Sequence, residues 1–93
     1  MRLDKFLKIS RLIKRRTVAK EVSDQGRVEI NQLQAKSSSQ VSIDDIITIH
    51  YGNRIVTVKV LALLESTKKE DANKMYELIK EERIVNEIDA DKF

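Results

Sequence analysis

RLDKFLKISRLIKRRTVAKEVSDQGRVEIN, residues 2–31, decides the fold, because its hydrophobic repeat is helical twice and then turns extended. Over residues 2–13, Leu3, Phe6, Leu7 and Ile13 share one helical face, with Ile9 at its margin and Lys5, Lys8 and Arg11 elsewhere. Lys14, Arg15 and Arg16 follow in a row. Adjacent like charges repel along a continuous helix and suit a turn. Thr17 is placed to cap a second helix, whose Val18, Ala19 and Val22 lie on one face. Gly26 is expected at its C′ position, where left-handed backbone costs glycine little. Beyond it Val28 and Ile30 alternate with Arg27, Glu29 and Asn31, the pattern of a short strand. The expected order is helix, basic turn, helix, strand.

Further along, Gln32 to Gln40 reads as loop, with Ala35 and Lys36 as a second short extended piece. A hairpin follows. Tyr51-Gly52-Asn53-Arg54 offers a two-residue loop of Gly and Asn, both tolerant of positive φ. Folding there sets Ile49 against Val56, Ile47 against Val58 and Thr48 against Thr57, so that like faces like. Thr67-Lys68-Lys69-Glu70 reads as a capping box. Ala72, Met75, Tyr76 and Ile79 then form the stripe of an expected C-terminal helix, supported by a Glu70–Lys74 pair. Asn86 to Phe93 is mixed and acidic and is expected to fray. The fold class is α+β. Residues 1–65 form the expected main domain, and residues 66–93 the appended helix and tail.

The first 36 residues hold ten of the eighteen Lys and Arg but only four acids, a net +6. The other 57 carry eight bases against eleven acids, a net −3. An overall charge of +3 therefore conceals a polarised molecule whose cations flank an apolar stripe and so belong to a folded surface. A fixed cationic face on a 93-residue chain points to a polyanion, most simply nucleic acid. The length suits one domain with a modest core. No Cys is present, which excludes disulfides and Cys-based zinc sites and fits a reducing compartment. No apolar run approaches the ~20 residues of a membrane span, and no secretory signal is visible, so a cytoplasmic protein is expected.

Enzyme chemistry finds little to work with. His50 is the only imidazole and falls on the polar side of the hairpin. Two glycines cannot build a phosphate-gripping Gly-rich loop. Asp44-Asp45 is best read as a turn before a strand, and Ser37 to Ser39 have no base to activate them. No enzyme activity, cofactor or metal is expected. The basic turn, in contrast, opens the second helix, where free amides and the positive dipole end reinforce an anion site. Aromatics are sparse, so shape recognition of folded RNA fits better than base stacking. Two other classes stay open: a DNA-binding helix-turn-helix protein, and a protein adaptor using the C-terminal helix.

Arg-Leu-Asp-Lys-Phe-Leu at 2–7, Arg-Arg-Thr at 15–17, Ala19, Gly26-Arg27-Val28 and Asn31 together resemble the S4 RNA-binding domain family. That resemblance implies an S4-like (alpha-L) fold, two short helices packed on a small twisted antiparallel sheet. No room remains for an attached enzyme unit. The chain is similar to the family's stand-alone ribosome-associated members, the RqcP (YabO) group, related to the heat-shock ribosome-recycling protein. The group implies binding to 23S rRNA and tRNA on a stalled large ribosomal subunit, by a monomer that assists RqcH in alanine tailing. The implied RNA-contacting surface falls on Arg2, Lys5, Lys8, Arg11, Lys14, Arg15, Arg16 and Thr17, with Lys20, Arg27, Asn31 and Lys36 nearer the rim. Asp4 is an acid within this surface. It either orients Arg2 or a neighbouring Arg by a forked ion pair or stabilises the helix start. Gln32 and Asp44 stand where the family often has glycine, so altered turn geometry is expected at both.

Overall fold

The computed structural model describes residues 1–65 and 68–83. Thr67, half of the expected capping box, and the segment from Asn86 to Phe93 lie outside the described residues. Two short helices, α1 (Leu3–Ile9) and α2 (Arg16–Asp24), share one core with a five-stranded antiparallel sheet. The strands are β1 (Val28–Ile30), β2 (Leu33–Gln34), β3 (Ile46–His50), β4 (Arg54–Val60) and β5 (Tyr76–Arg83), in the spatial order β2-β1-β3-β4-β5. A single turn, α3 (Lys69–Ala72), precedes β5. Leu3, Phe6 and Leu7 of α1 and Ala19 of α2 are wholly buried with Val28, Ile47, Ile49, Val58 and Val60 of the sheet.

The first helix is shorter than its apolar stripe suggests. It ends at Ile9, and Arg11 takes a left-handed φ of 62°, so Ile13 reaches the core from beyond the helix. The second helix begins at Arg16 with Arg15 as its N-cap, which corrects the expected capping role of Thr17. At its far end Gly26, φ 79°, donates to the Ser23 carbonyl at 3.0 Å, and Arg27 donates to that of Val22 at 3.1 Å. This pair of bonds is the Schellman closure that the glycine implied.

The next turn keeps the left-handed backbone that Asn-Gly would adopt, so the expected altered geometry at Gln32 is not seen and the departure lies in the residue alone. Ile30 pairs with Leu33, leaving Asn31 (φ 53°) and Gln32 (φ 70°) as a two-residue hairpin loop with both residues left-handed. The extended piece is thus Leu33–Gln34, not Ala35 and Lys36. Asn31 tolerates its conformation because its side chain is engaged: Nδ2 donates to Asp45 at 3.1 Å, and Oδ1 accepts from the Ile46 amide at 2.9 Å. Gln32 is exposed, and its longer side chain lacks the short-range bonding by which Asn and Asp tolerate this backbone. Gln32→Gly is expected to stabilise the fold by up to about 1 kcal/mol, the left-handed penalty less glycine's added chain entropy. A lowered melting temperature would contradict this. Asp44, φ 76°, likewise takes the left-handed backbone that suits glycine, so this turn too shows a non-glycine residue in place and not a changed geometry.

The β3–β4 register matches the sequence pairing at every position: Ile47↔Val58, Thr48↔Thr57 and Ile49↔Val56. The loop does not match. The last pair is His50↔Ile55, and neither Gly52 nor Asn53 has positive φ, so the connection is wider than the expected two-residue turn.

The C-terminal helix is the main correction. Among the described residues of this segment only Lys69–Ala72 is helical, and Tyr76–Arg83 is a strand paired along β4 from Val60↔Tyr76 to Arg54↔Arg83. Lys74 accordingly meets Asp71 at 3.8 Å and not Glu70. Ala72 and Met75 are buried, whereas Ile79 of the expected stripe is half exposed. A helix there would have left the seven-residue β4 without a partner on one side. Ladder hydrogen bonds decide in favour of the strand, and tertiary pairing overrides a local helical pattern. Residues 76–83 therefore belong to the sheet of the main domain, and no helical stripe is left to serve as an adaptor surface.

Candidate nucleic-acid interface

The start of α2 meets the start of α1 at a cationic corner built around a buried acid. Asp4 is 3 % exposed. Its Oδ1 accepts from Arg2 Nε at 3.2 Å, from Arg16 Nη2 at 3.4 Å and from the Lys5 amide at 2.8 Å, while Oδ2 accepts from Arg2 Nη2 at 3.4 Å. Burial pushes the Asp4 carboxyl up, but the hydrogen bonds from Arg2, Arg16 and Lys5 and the Arg16 charge outweigh it. The group is held below the ordinary carboxylate value. Both arginines are about half exposed, so their outer N–H groups face solvent. The forked pairing expected of Asp4 is present, and it extends to a second arginine from the other helix.

The corner is also an uncapped helix terminus. No side chain caps α2, and its first turn holds no acid. The Ala19 amide is the first to bond back within the helix, to the Arg15 carbonyl at 2.9 Å. The amides of Arg16, Thr17 and Val18 therefore precede the helical ladder and leave the positive dipole end open to an anion. Exposed Lys14 and Arg15 lead into it, Thr17 lies exposed in the first turn, and Lys20 follows one turn on from Arg16.

A loop frames the site on the other side. The Leu3 and Asp4 amides donate to the carbonyls of Ser39 (2.8 Å) and Ser37 (3.1 Å), and Arg2 bridges to Gln40. The Ser37 amide in turn donates to Asp24 at 3.0 Å, a bond that lowers the Asp24 pKa and ties the loop to the end of α2. Exposed Lys36 is thereby carried to the rim of the same surface. These loop contacts left no trace in the sequence beyond SSSQ at 37–40, because a loop tied by backbone bonds has no periodicity.

The other expected residues divide. Lys8 stays half-buried on α1, and Lys5 forms an ion pair with Glu65 at 2.6 Å. Arg11 turns away to a cleft beside the β3–β4 loop. Arg27 sits at that same end of the sheet, its carbonyl accepting from the His50 amide at 2.8 Å. Asn31 holds the Asp45 turn, so the structure assigns it a fold-holding contact at the other end of β1. His50 meets Glu29 at 2.9 Å on the outer sheet face. Among the described residues no group of three or more His, Cys, Asp or Glu could hold a metal ion, and no helix is long and apolar enough to cross a membrane.

Comparison with known proteins agrees with this architecture. The S4 domain family model matches residues 1–47. The chain is 57% identical over 84 residues to the RQC P-site tRNA stabilizing factor of Streptococcus pneumoniae, covering 90% of this chain and 96% of that protein. It is 60% identical over 84 residues to the protein of the same name from Bacillus subtilis, covering 90% and 98%. Among solved structures it is similar to a trimeric structure of Vibrio cholerae heat shock protein 15. The TM-score is 0.79 at 29% identity, over 85% of this chain and 81% of that one.

Proposed function

Because the chain belongs to the S4 domain family, we propose that it is a non-catalytic RNA-binding protein of ribosome-associated quality control. It binds the large ribosomal subunit stalled with peptidyl-tRNA, contacts 23S rRNA and the tRNA, and assists RqcH in C-terminal alanine tailing. It does so in the cytoplasm as a monomer. The observation that carries this reading is the Arg2–Asp4–Arg16 cluster at the open start of α2. Two guanidiniums on one buried carboxylate, Arg2 held by a fork and Arg16 by a single bond, present donors to phosphate oxygens, and the free amides of α2 add uncharged donors beside them. The names of the two relatives, both factors that stabilise P-site tRNA, support tRNA as one of the two RNAs.

Recognition by DNA base reading has no support in α2, whose exposed face carries Glu21 and Asp24 beside Lys20 and Gln25. Duplex DNA is accordingly expected to compete poorly against tRNA or rRNA in a filter-binding assay. With about five phosphates engaged, log K should fall against log salt with a slope of roughly −3.5 to −4.5. Equal competition by DNA would overturn the RNA assignment.

A further inference from the structure

Sparse aromatics argue against base stacking when counted along the chain, but the fold brings two of them together. Tyr51 of the β3–β4 loop and Tyr76, which starts β5 opposite Val60, line one cleft of about 220 Å³ that runs along the β4–β5 side of the sheet. Half-exposed Leu78 lines it as well, together with Arg11, Arg54 and Glu81. The volume is that of about seven water molecules, the scale of one planar heterocycle.

The cleft is built, not accidental. The Tyr51 hydroxyl donates to the Leu12 carbonyl at 2.6 Å, which fixes the ring, and the Arg54 guanidinium lies 4.6 Å from its centroid. Arg11 reaches the cleft from a left-handed backbone, at a helix end where glycine would be less strained. A strained cation beside a stacked cation and two tyrosines combines flat faces with phosphate-binding charge, and the Glu81 carboxylate adds an acceptor for exocyclic amino groups. The geometry points to this cleft as a second RNA site that takes a single unpaired nucleobase, with Arg11 and Arg54 on the flanking phosphates. The inference rests on the RNA-binding reading above but uses residues outside the Arg2–Arg16 corner.

Both tyrosines of the chain line the cleft, so fluorotyrosine labelling gives two fluorine resonances that report on it alone. GMP is expected to shift both saturably, whereas ribose 5-phosphate shifts neither. A short RNA duplex carrying one bulged guanosine should bind about 5- to 150-fold tighter than the same duplex without it, the range for one stacked base. Leu78→Glu, at a half-exposed lining position, should erase that preference and leave duplex affinity unchanged. Silent resonances with GMP, or equal affinity for the bulged and unbulged duplexes, would overturn the site. The Arg16→Glu variant separates the two readings: it should weaken both duplexes equally while the GMP shifts persist. Undiminished duplex binding by that variant would fail the corner and leave the cleft standing.

Discussion

Arg16→Glu is expected to abolish co-sedimentation with large ribosomal subunits while leaving the circular dichroism spectrum unchanged. Arg16 is half exposed, and the buried Asp4 carboxylate that loses its 3.4 Å bond keeps those from Arg2 and the Lys5 amide. Glutamate at the first position of α2 is favourable to the helix itself, since an acid there complements the dipole. The fold should therefore persist. What changes is the field at the corner. A fork that donates to phosphate becomes a carboxylate next to Asp4, and the open amides of α2 acquire an intramolecular acid to satisfy them. Loss of one charge-assisted contact together with new repulsion makes a drop of at least ~100-fold the reasonable scale, about 3 kcal/mol. Subunit binding that survives this reversal would remove the central claim.

Asp4→Asn is the second large effect, and it acts on stability and binding together. The amide keeps the size of the carboxylate but offers donors where Arg2 and Arg16 also donate. A destabilisation of about 1–3 kcal/mol is expected, the cost of breaking a largely buried charge-assisted cluster whose arginines are half solvated. For a domain of this size that lowers the melting temperature by roughly 5–20 °C. The pH dependence has a definite sign. Because the folded-state pKa of Asp4 lies below its ordinary value of 3.8, its stabilisation is complete above the unfolded value and disappears as pH falls through the folded one. Acid unfolding below about pH 4 should thus be shallower in Asp4→Asn than in the parent. Identical acid limbs would show that Asp4 does not carry the coupling. RNA affinity should also fall, by about tenfold, because both guanidiniums lose their fixed aim.

The parts of this molecule that were legible in the sequence are those set by short-range rules. The β3–β4 register followed from matching apolar and polar residues across Tyr51 to Arg54, and the close of α2 followed from Gly26. The pairing of Asp4 with an arginine was legible too, because Arg2 lies two residues away. The parts that were not legible depend on residues far apart in the chain. Tyr76 to Arg83 carries a helical stripe and becomes a strand only because β4 has an unpaired side. Lys36 joins the cationic surface through Ser37 and Asp24, and Arg11 leaves it for a cleft shared with Tyr51. Asn31 sat in a motif that suggested RNA contact, yet both ends of its amide hold the neighbouring turn.

The conversion of that last segment to strand also has a colloidal consequence. A terminal strand in a sheet offers a row of unpaired amides and carbonyls to any other chain that can align with it. In β5 the residues Glu77, Lys80, Glu81, Glu82 and Arg83 place five charges in eight positions, and the β4–β5 ladder shifts register at Thr57/Val58. A second molecule adding there must strip hydration from those charges and follow an irregular edge. The same charges that suggest a solvated helix when read along the chain thus protect concentrated protein against edge-to-edge aggregation.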